Sequence, residues 1–149
     1  MKGALFMAMG CVMYSVGSVR IEKMAGLGKV MPWTMAAFVG GGLSLIGVPL
    51  TVGFVSKWYL VQAALEAGMW PVAVVVMIGS LMALVYIWKV VEVAYFQQPE
   101  EGHGIREAPL SLLIPTWTLV VASFYFGIDA STTASIATRA AEALLGVTP

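Results

Sequence analysis

The stretch from Trp33 to Val55 constrains this chain most, because it contains no acidic or basic residue. A helix that crosses the roughly 30 Å of bilayer hydrocarbon needs about 20 mostly apolar residues. The whole chain is 60% hydrophobic and 11% charged, whereas soluble domains are typically about 45–50% apolar and about 25% charged. One small soluble core cannot bury that excess. The sequence therefore predicts an all-α, multispan transmembrane protein that lies in the lipid bilayer.

Composition also argues against several functions. The formal net charge is +0, so we expect no basic surface for nucleic acid. Cys11 is the single cysteine and His103 the single histidine, and the histidine lies in a polar loop where it should be solvated. Neither a cysteine cluster nor a glycine-rich phosphate loop with its lysine is present in the sequence. We therefore predict no metal site and no bound cofactor.

Hydropathy and helix breakers divide the chain into about five membrane segments, one of them a discontinuous helix, and a C-terminal surface helix. Within one membrane domain, 1–149, we predict segments at 3–19, 33–50, 51–67 (broken), 71–96 and 109–128, and the tail helix at 132–145. The first segment is at the lower limit of a span and looks like the later part of a span whose beginning is missing. A cleaved signal peptide is the alternative, because Lys2 precedes the apolar run.

The basic connections set the expected orientation. Lysine and arginine collect on the cytoplasmic side of membrane proteins, and Arg20–Lys29 is the most basic connection. If segment 51–67 crosses the membrane fully, the tail with Arg139 lies on the cytoplasmic side together with Arg20–Lys29. If it does not, the loop with Arg106 lies on that side instead. Charge counting therefore leaves four and five spans open. We expect a multi-pass protein of the bacterial cytoplasmic membrane.

Three helix breakers precede a lysine just after the uncharged stretch. The breakers are Gly47, Pro49 and Gly53, and the lysine is Lys57. Pro49 has no amide hydrogen, so the carbonyl of Leu45 loses its helical partner. Broken backbone at membrane depth is tolerated only inside protein or beside a watery cavity. The pattern predicts a helix break that carries Lys57 into the membrane interior.

Lys57 is the candidate proton carrier. Gly53 lies four residues before it on the same helix face, and we expect it to leave room for water beside the ammonium. Desolvation favours the neutral amine, so such a lysine can take up and release a proton, as intramembrane ionisable groups do in proton relays. The alternative is an interfacial anchor, because Trp58 and Tyr59 follow the lysine as they would in an aromatic belt.

Three more charged residues are candidates for a polar path. Glu66 follows Lys57 by more than two helical turns, and its alternative role is that of a helix-end carboxylate before Gly68. Lys89 and Glu92 are three residues apart, hence on one side of a helix. Their alternative role is an ion pair at the membrane surface, where long side chains reach water or headgroups.

Three segments match motifs of a known family. The central segment is GVPLTVGFVSK, Gly47–Lys57, which fits the pattern G-x-P-x-x-x-G-F-x-x-K. Gly26–Pro32 resembles a G-L-x-K-x-x-P connection, and Lys2–Phe6 resembles the end of an H-x-x-x-K-A-x-L-F helix, with Gly3 where alanine is usual. The chain thereby resembles the antiporter-like membrane subunits shared by Mrp-type cation/proton antiporters and proton-translocating NADH:quinone oxidoreductase.

The resemblance implies that Lys57 is the proton-carrying lysine of the second half-channel, and that Lys2 belongs to the path towards the membrane centre. The family's histidines would lie ahead of Met1. The chain therefore resembles the C-terminal portion of such a subunit, from a truncated or split reading frame. The implied function is that of a proton-translocating Mrp-type D-like subunit of a monovalent cation/proton antiporter. Its expected partners are other membrane subunits, protons and, as the candidate exchanged ion, sodium.

Three alternatives stay open. One is an antiporter-like subunit of NADH:quinone oxidoreductase, although the segment GFVSKWYL favours the antiporter. No redox centre is encoded, so any link to NADH or quinone would come from partner subunits. Another is a non-catalytic membrane scaffold or truncated remnant. The last is an unrelated small transporter, for which no residue set here indicates a solute site.

Overall fold

The computed structural model describes residues 1–98 and 105–146. Within these ranges all regular secondary structure is helical, which confirms the predicted all-α class. The elements are α1 Lys2–Val16, a 3₁₀ turn Ile21–Met24, α2 Leu27–Val30, α3 Pro32–Ile46, α4 Val52–Glu66, α5 Trp70–Phe96, α6 Leu110–Ile128 and α7 Ala130–Leu145. The part of the polar loop that contains His103 lies outside the described residues.

Several helix boundaries follow from local chemistry. Pro32 and Pro71 lie in the first turns of α3 and α5, where a missing amide hydrogen has no helical partner to lose. Gly17 ends α1 in the left-handed conformation, with φ of 74°, which glycine adopts without a side-chain clash. The tail helix α7 begins at Ala130, slightly before the predicted start at residue 132.

The helices α3 and α4 lie one after the other along α5. Each of the two has 15 residues, or about 22 Å, whereas the 27 residues of α5 extend over about 40 Å. Three contacts show the order of the elements along α5: Lys57 of α4 contacts Ser80 in the middle of α5, Gly42 of α3 contacts Ile87, and Gly28 of α2 contacts Tyr95 near its end. Two short helices therefore run in series beside one long helix.

Helix length alone marks two spans in the described part of the chain. α5 and α6 are long and apolar enough to cross a membrane, and α1 and α3 are apolar but shorter. The predicted segments 33–50 and 51–67 correspond to α3 and α4, each below the roughly 30 Å of bilayer hydrocarbon. Most outward side chains of α5 are apolar, with Val75 68% and Val85 69% exposed, as a lipid-facing surface requires.

The main core lies in one half of the helix bundle. Its buried residues come from α1, α2, α3, the C-terminal half of α5 and neighbouring connections: Ala8, Cys11, Val12, Met24, Leu27, Met31, Met35, Phe38, Ile87, Val93, Ala94 and Ala108. By contrast, the buried residues of α4 are Gly53 and Ala64. Within this chain, α4 is therefore less buried than α1 and α3.

The tail helix α7 faces α4 across an apolar groove. The groove has a volume of about 600 Å³ and is lined by Val55 and Tyr59 of α4 and by Ala137 and Ala141 of α7, among others. Outside this groove α7 is exposed, and Ile136, for example, is 67% exposed. The predicted position of this helix on the membrane surface stays a prediction.

Glu107 connects the segment before α6 to the first turn of α3. Its carboxylate accepts hydrogen bonds from the amide of Trp33 at 3.1 Å, and from the amide and the hydroxyl of Thr34 at 3.1 Å and 2.5 Å. The segment before α6 and the connection before α3 therefore lie at the same end of the bundle.

Candidate functional site at the helix break

Residues 47–51 separate α3 from α4, so the chain is interrupted at Gly47 and Pro49 as predicted. The segment 51–67, predicted to be broken, is instead one continuous helix, Val52–Glu66, and Gly53 lies inside it. Gly47 has φ of 91° and Leu50 has φ of 74°, and this left-handed region is unfavourable for a residue with a side chain such as leucine. Thr51 is buried, and its hydroxyl accepts a hydrogen bond from the first turn of α4. The chain thus leaves one helix and enters the next through a compact turn that Thr51 closes.

The turn frees carbonyl oxygens at the end of α3. Pro49 has no N–H group, so it cannot donate to the carbonyl of Leu45 as a helical residue would. Lys57 uses the freed acceptors, because its Nζ donates to Leu45 O at 2.7 Å and to Ile46 O at 2.9 Å. The carbonyl that the sequence predicts to be released is therefore one of those that hold the lysine.

The third hydrogen bond of Lys57 reaches α5. Its Nζ donates to Ser80 Oγ at 2.8 Å, and the Ser80 hydroxyl donates to Val76 O at 3.1 Å. A lysine ammonium has three donors, so each has a neutral acceptor here. Among the residues that the structure describes, no carboxylate lies within ion-pair distance of Nζ. The charge sits instead at the C-terminal, negative end of the α3 dipole.

This set of neutral acceptors suits both protonation states of Lys57. A carboxylate partner would favour the charged form strongly, and none is in contact within the described residues. A neutral amine would keep two N–H donors and gain a lone pair, to which the Ser80 hydroxyl can donate. The half-buried site can therefore hold the lysine with or without its extra proton.

Gly53 has a different role from the predicted one. Its Cα packs on the carbonyl oxygen of Ser44, a Cβ there would overlap that oxygen, and the sulfur of Met1 lies close by. The prediction of room for water at Gly53 was wrong, because the end of α3 fills that space. Gly47 is the glycine beside the lysine, since a Cβ there would be 3.1 Å from Lys57 Cδ.

Lys2 follows a residue that packs beside the break. It is the exposed first residue of α1, and its neighbour Met1 packs against Gly53. The structure therefore brings the start of α1 to the end of α3, although no hydrogen bond within the described residues joins Lys2 to Lys57. Its place in a proton path stays a prediction.

The other three candidates lie away from the break. Glu66 is exposed near the end of α4, where its carboxylate accepts a hydrogen bond from Gln62 Nε2 at 3.1 Å, and it follows Lys57 by about 13 Å along the helix. Lys89 and Glu92 are exposed on α5, and within the described residues they form no ion pair with each other. The structure does not bring these residues into contact with Lys57.

Two serines lie at the site in addition to the predicted residues. Ser80 is the single hydroxyl residue in the stretch Trp70–Val85, and that isolation was an available signal. Ser44 lies at the end of α3 with its side chain fully buried, and its hydroxyl has no hydrogen-bond partner among the described residues. No spacing rule distinguishes this serine from an ordinary small residue at a helix contact.

Comparison with known proteins identifies similar chains. The family model described as NADH:quinone oxidoreductase/Mrp antiporter, transmembrane, matches residues 1–83. NADH-quinone oxidoreductase subunit N of Desulforudis audaxviator is 40% identical over 140 residues, which cover 85% of this chain and 28% of that protein. The D subunit of the Na(+)/H(+) antiporter of Bacillus subtilis is 28% identical over 148 residues, which cover 97% of this chain and 29% of that protein.

A solved structure is also similar. A chain in the structure of the Mrp complex from Dietzia sp. DQ12-45-1b superposes with a TM-score of 0.80 at 25% identity, covering 89% of this chain and 33% of that one. The present chain therefore spans about a third, or less, of the length of these proteins. The region matched by the family model includes the helix break, Lys57 and Ser80.

Proposed function

This chain belongs to the NADH:quinone oxidoreductase/Mrp antiporter transmembrane family, and on that premise we propose that it moves protons through Lys57 as the C-terminal part of an antiporter-like membrane subunit. The hydrogen bonds from Lys57 Nζ to two carbonyl oxygens at the end of α3 carry this proposal. An ionisable side chain at membrane depth is energetically costly and is typical of proton relays. Irregular backbone at that depth is tolerated only within protein or beside a hydrated path.

Proton release would change the contacts between α3, α4 and α5. The ammonium uses three donors, to Leu45 O, Ile46 O and Ser80 Oγ. The neutral amine has two donors, so if the Ser80 hydroxyl turns to donate to the lone pair, the remaining two donors stay on the carbonyls. If the Ser80 hydroxyl still donates to Val76 O, the neutral amine has two donors for three acceptors, and Lys57 loses one of its three hydrogen bonds. The protonation state of Lys57 thus selects the partner of Ser80 and the strength of the link between α4 and α5.

We propose that α3 and α4 together form one discontinuous span, so that the chain crosses the membrane four times, through α1, α3–α4, α5 and α6. The serial arrangement of α3 and α4 along α5 supports this topology. The bonds from Glu107 to the start of α3 support it as well. The loop with Arg106 then joins Arg20–Lys29 on the cytoplasmic side, which is one of the two outcomes that charge counting leaves open.

Two assemblies are candidates. The similarity to the D subunit of a Na(+)/H(+) antiporter over nearly the whole chain, and to the Mrp complex, supports a Mrp-type D-like subunit with sodium as the exchanged ion. The higher identity to subunit N supports an antiporter-like subunit of an NADH:quinone oxidoreductase. The relatives are subunits by name, so other membrane subunits are the partners that we propose in either case.

Replacing Lys57 tests the proposed function. The membrane complex that contains this chain is reconstituted into vesicles, and proton movement is followed with a pH-sensitive dye. We expect Lys57→Ala to slow proton movement about 100-fold or to the leak rate, because it removes the proton-carrying amine. Lys23→Ala is the control, because Lys23 is an exposed lysine in the 3₁₀ turn Ile21–Met24 and should leave transport unchanged.

The same vesicles distinguish the alternatives. Normal proton movement in Lys57→Ala, with equal amounts of assembled complex, would exclude the proton role and leave a non-catalytic scaffold. Proton movement driven by a sodium gradient would support the Mrp-type assembly. Proton movement driven by NADH oxidation would support the oxidoreductase.

A further inference from the structure

Ser44 has a buried hydroxyl that the fold does not use. The residue is 0% exposed, and its Oγ has no hydrogen-bond partner among the described residues. Buried hydroxyl groups in proteins are almost always hydrogen-bonded, either to protein or to an ordered water. Because a small hydrophobic residue would fill the same place without an unpaired polar atom, the hydroxyl needs an explanation.

The position of Ser44 in α3 shows which way it faces. Ala37, Gly41 and Ser44 follow one another at helical spacing on one face. Ala37 packs in a cluster with Ala4 of α1, and Gly41 packs on Leu5 of α1. Ser44 therefore lies on the α1-facing side, one turn further towards the break.

Ser44 is also adjacent to the lysine site. The next residue, Leu45, supplies the carbonyl oxygen 2.7 Å from Lys57 Nζ, and the carbonyl of Ser44 itself packs on Gly53 in α4. Two hydroxyls thus flank the end of α3 that holds the ammonium. Ser80 is on the α5 side and bonds to Lys57 directly, whereas Ser44 is on the α1 side with its hydroxyl unpaired among the described residues.

We propose that Ser44 is a hydration site that leads protons from Lys57 towards the start of α1, where Lys2 lies. This inference rests on the proposed function of Lys57. In the transfer, a water replaces one of the three acceptors of Nζ, an N–H bond of the ammonium breaks and an O–H bond to that water forms, which leaves a neutral amine and a hydronium ion. The hydronium donates a hydrogen bond to Ser44 Oγ and passes its excess proton to the next water on the α1 side. Ser44 is thus a positioning residue for the water and is not itself a proton carrier.

Transport by serine variants of the reconstituted complex tests the proposal. We expect Ser44→Ala to slow proton movement about tenfold, a smaller loss than that of the carrier itself. Ser44→Thr keeps a hydroxyl and should retain most of the rate. Thr116→Val is the control, because Thr116 is also fully buried but bonds within α6 and to Cys11, away from the break.

Thermal unfolding of the same complexes provides a second measurement. A dry, unpaired hydroxyl destabilises a protein, so its replacement by alanine would raise the melting temperature. A hydroxyl that holds a water has a satisfied partner, so the melting temperature of Ser44→Ala should fall. A raised melting temperature would overturn the proposal.

The outcomes separate this inference from the proposed function. If Lys57→Ala stops proton movement and Ser44→Ala does not slow it, the hydration site is excluded and the role of Lys57 stands. If the serine variants fail to assemble, a high-resolution map of the unmodified complex shows whether a water is bound at Ser44. Density for a water about 2.7–3.2 Å from Ser44 Oγ would support the site, and its absence from a map that resolves other internal waters would overturn it.

Discussion

Lys57 is held by two backbone carbonyls and one hydroxyl, and this choice of partners decides what the residue can do. A lysine paired with a buried carboxylate cannot lose its proton without leaving an uncompensated charge behind, which is strongly unfavourable. Neutral acceptors leave no such charge when the amine forms. At the scale of single residues, the proposed release of a proton from Lys57 would not require a second charged group to move with it.

Gly53 is predicted to be required for the break itself. Gly53→Ala would place a Cβ on the carbonyl oxygen of Ser44, and forcing a side chain into such a packed contact typically costs about 1–3 kcal/mol. We expect a lower melting temperature of the purified complex. Gly79→Ala in α5 is the control, because no heavy atom lies within 4 Å of that Cβ. Equal melting temperatures for both variants would show that α3 and α4 do not pack as closely as described.

The sequence predicts the residues of this site unevenly. The release of the Leu45 carbonyl could be predicted because the proline effect acts over four residues of one helix. The bond from Lys57 to Ser80 could not be predicted, because the two residues are 23 positions apart in the chain and meet only through the packing of α4 on α5. Gly53 is predicted to belong to the break but lies in the first turn of α4, and its spacing from Lys57 is compatible with either a hydrated gap or a close contact.

At the scale of elements, α3 lies between two opposite charges. Glu107 accepts hydrogen bonds from the first turn of α3, and Lys57 donates to its last carbonyls. A negative group at the N-terminus and a positive group at the C-terminus both complement the helix macrodipole. One helix thus links a carboxylate near the polar end of the bundle to the amine at the break.

Glu107 is predicted to stabilise the start of α3. Glu107→Ala removes three hydrogen bonds and leaves the buried hydroxyl of Thr34 without its acceptor, which should cost about 1–3 kcal/mol. We expect a lower melting temperature of the complex, with a smaller loss for Glu107→Gln, which keeps one acceptor oxygen. Arg106→Ala is the control, because Arg106 is exposed. A Glu107→Ala complex as stable as the Arg106→Ala complex would contradict this role.

Element positions are easier to predict than their mutual arrangement. The segments predicted at 71–96 and 109–128 closely match α5 and α6, because long apolar runs with prolines near their starts leave little choice. The 3₁₀ turn and α2 in the basic connection have four residues each, too few to show a periodic pattern. That α3 and α4 lie in series along α5 cannot be seen in hydropathy, which reports the length of a segment but not its neighbours.

At the scale of the whole molecule, the two sides of the break differ in how many of their residues are buried. The half that contains α1, α2 and α3 has a continuous buried core, whereas few residues of α4 are buried. Segments with few buried apolar contacts open more easily than the core around them. If Lys57 releases its proton as proposed, we expect the accompanying movement in α4 rather than in α3.

The topology of four spans is tested by labelling. Single cysteines are introduced as Arg20→Cys, Ala67→Cys or Arg106→Cys, with Cys11→Ala removing the native thiol, and membranes of known orientation are treated with an impermeant maleimide. If α3 and α4 form one span, positions 20 and 106 react from one side and position 67 from the other. If α4 crosses alone, position 67 shares its side with position 20, and position 106 reacts from the opposite side.

The most direct measurement of the central claim is proton movement by the reconstituted complex that carries Lys57→Arg. Arginine keeps the positive charge and the hydrogen-bond donors, but it does not release its proton in proteins. If Lys57 works by exchanging a proton at the helix break, the assembled Lys57→Arg complex will show no proton movement above the leak rate. Proton movement at the unmodified rate would show that a fixed charge is enough, and would contradict the account.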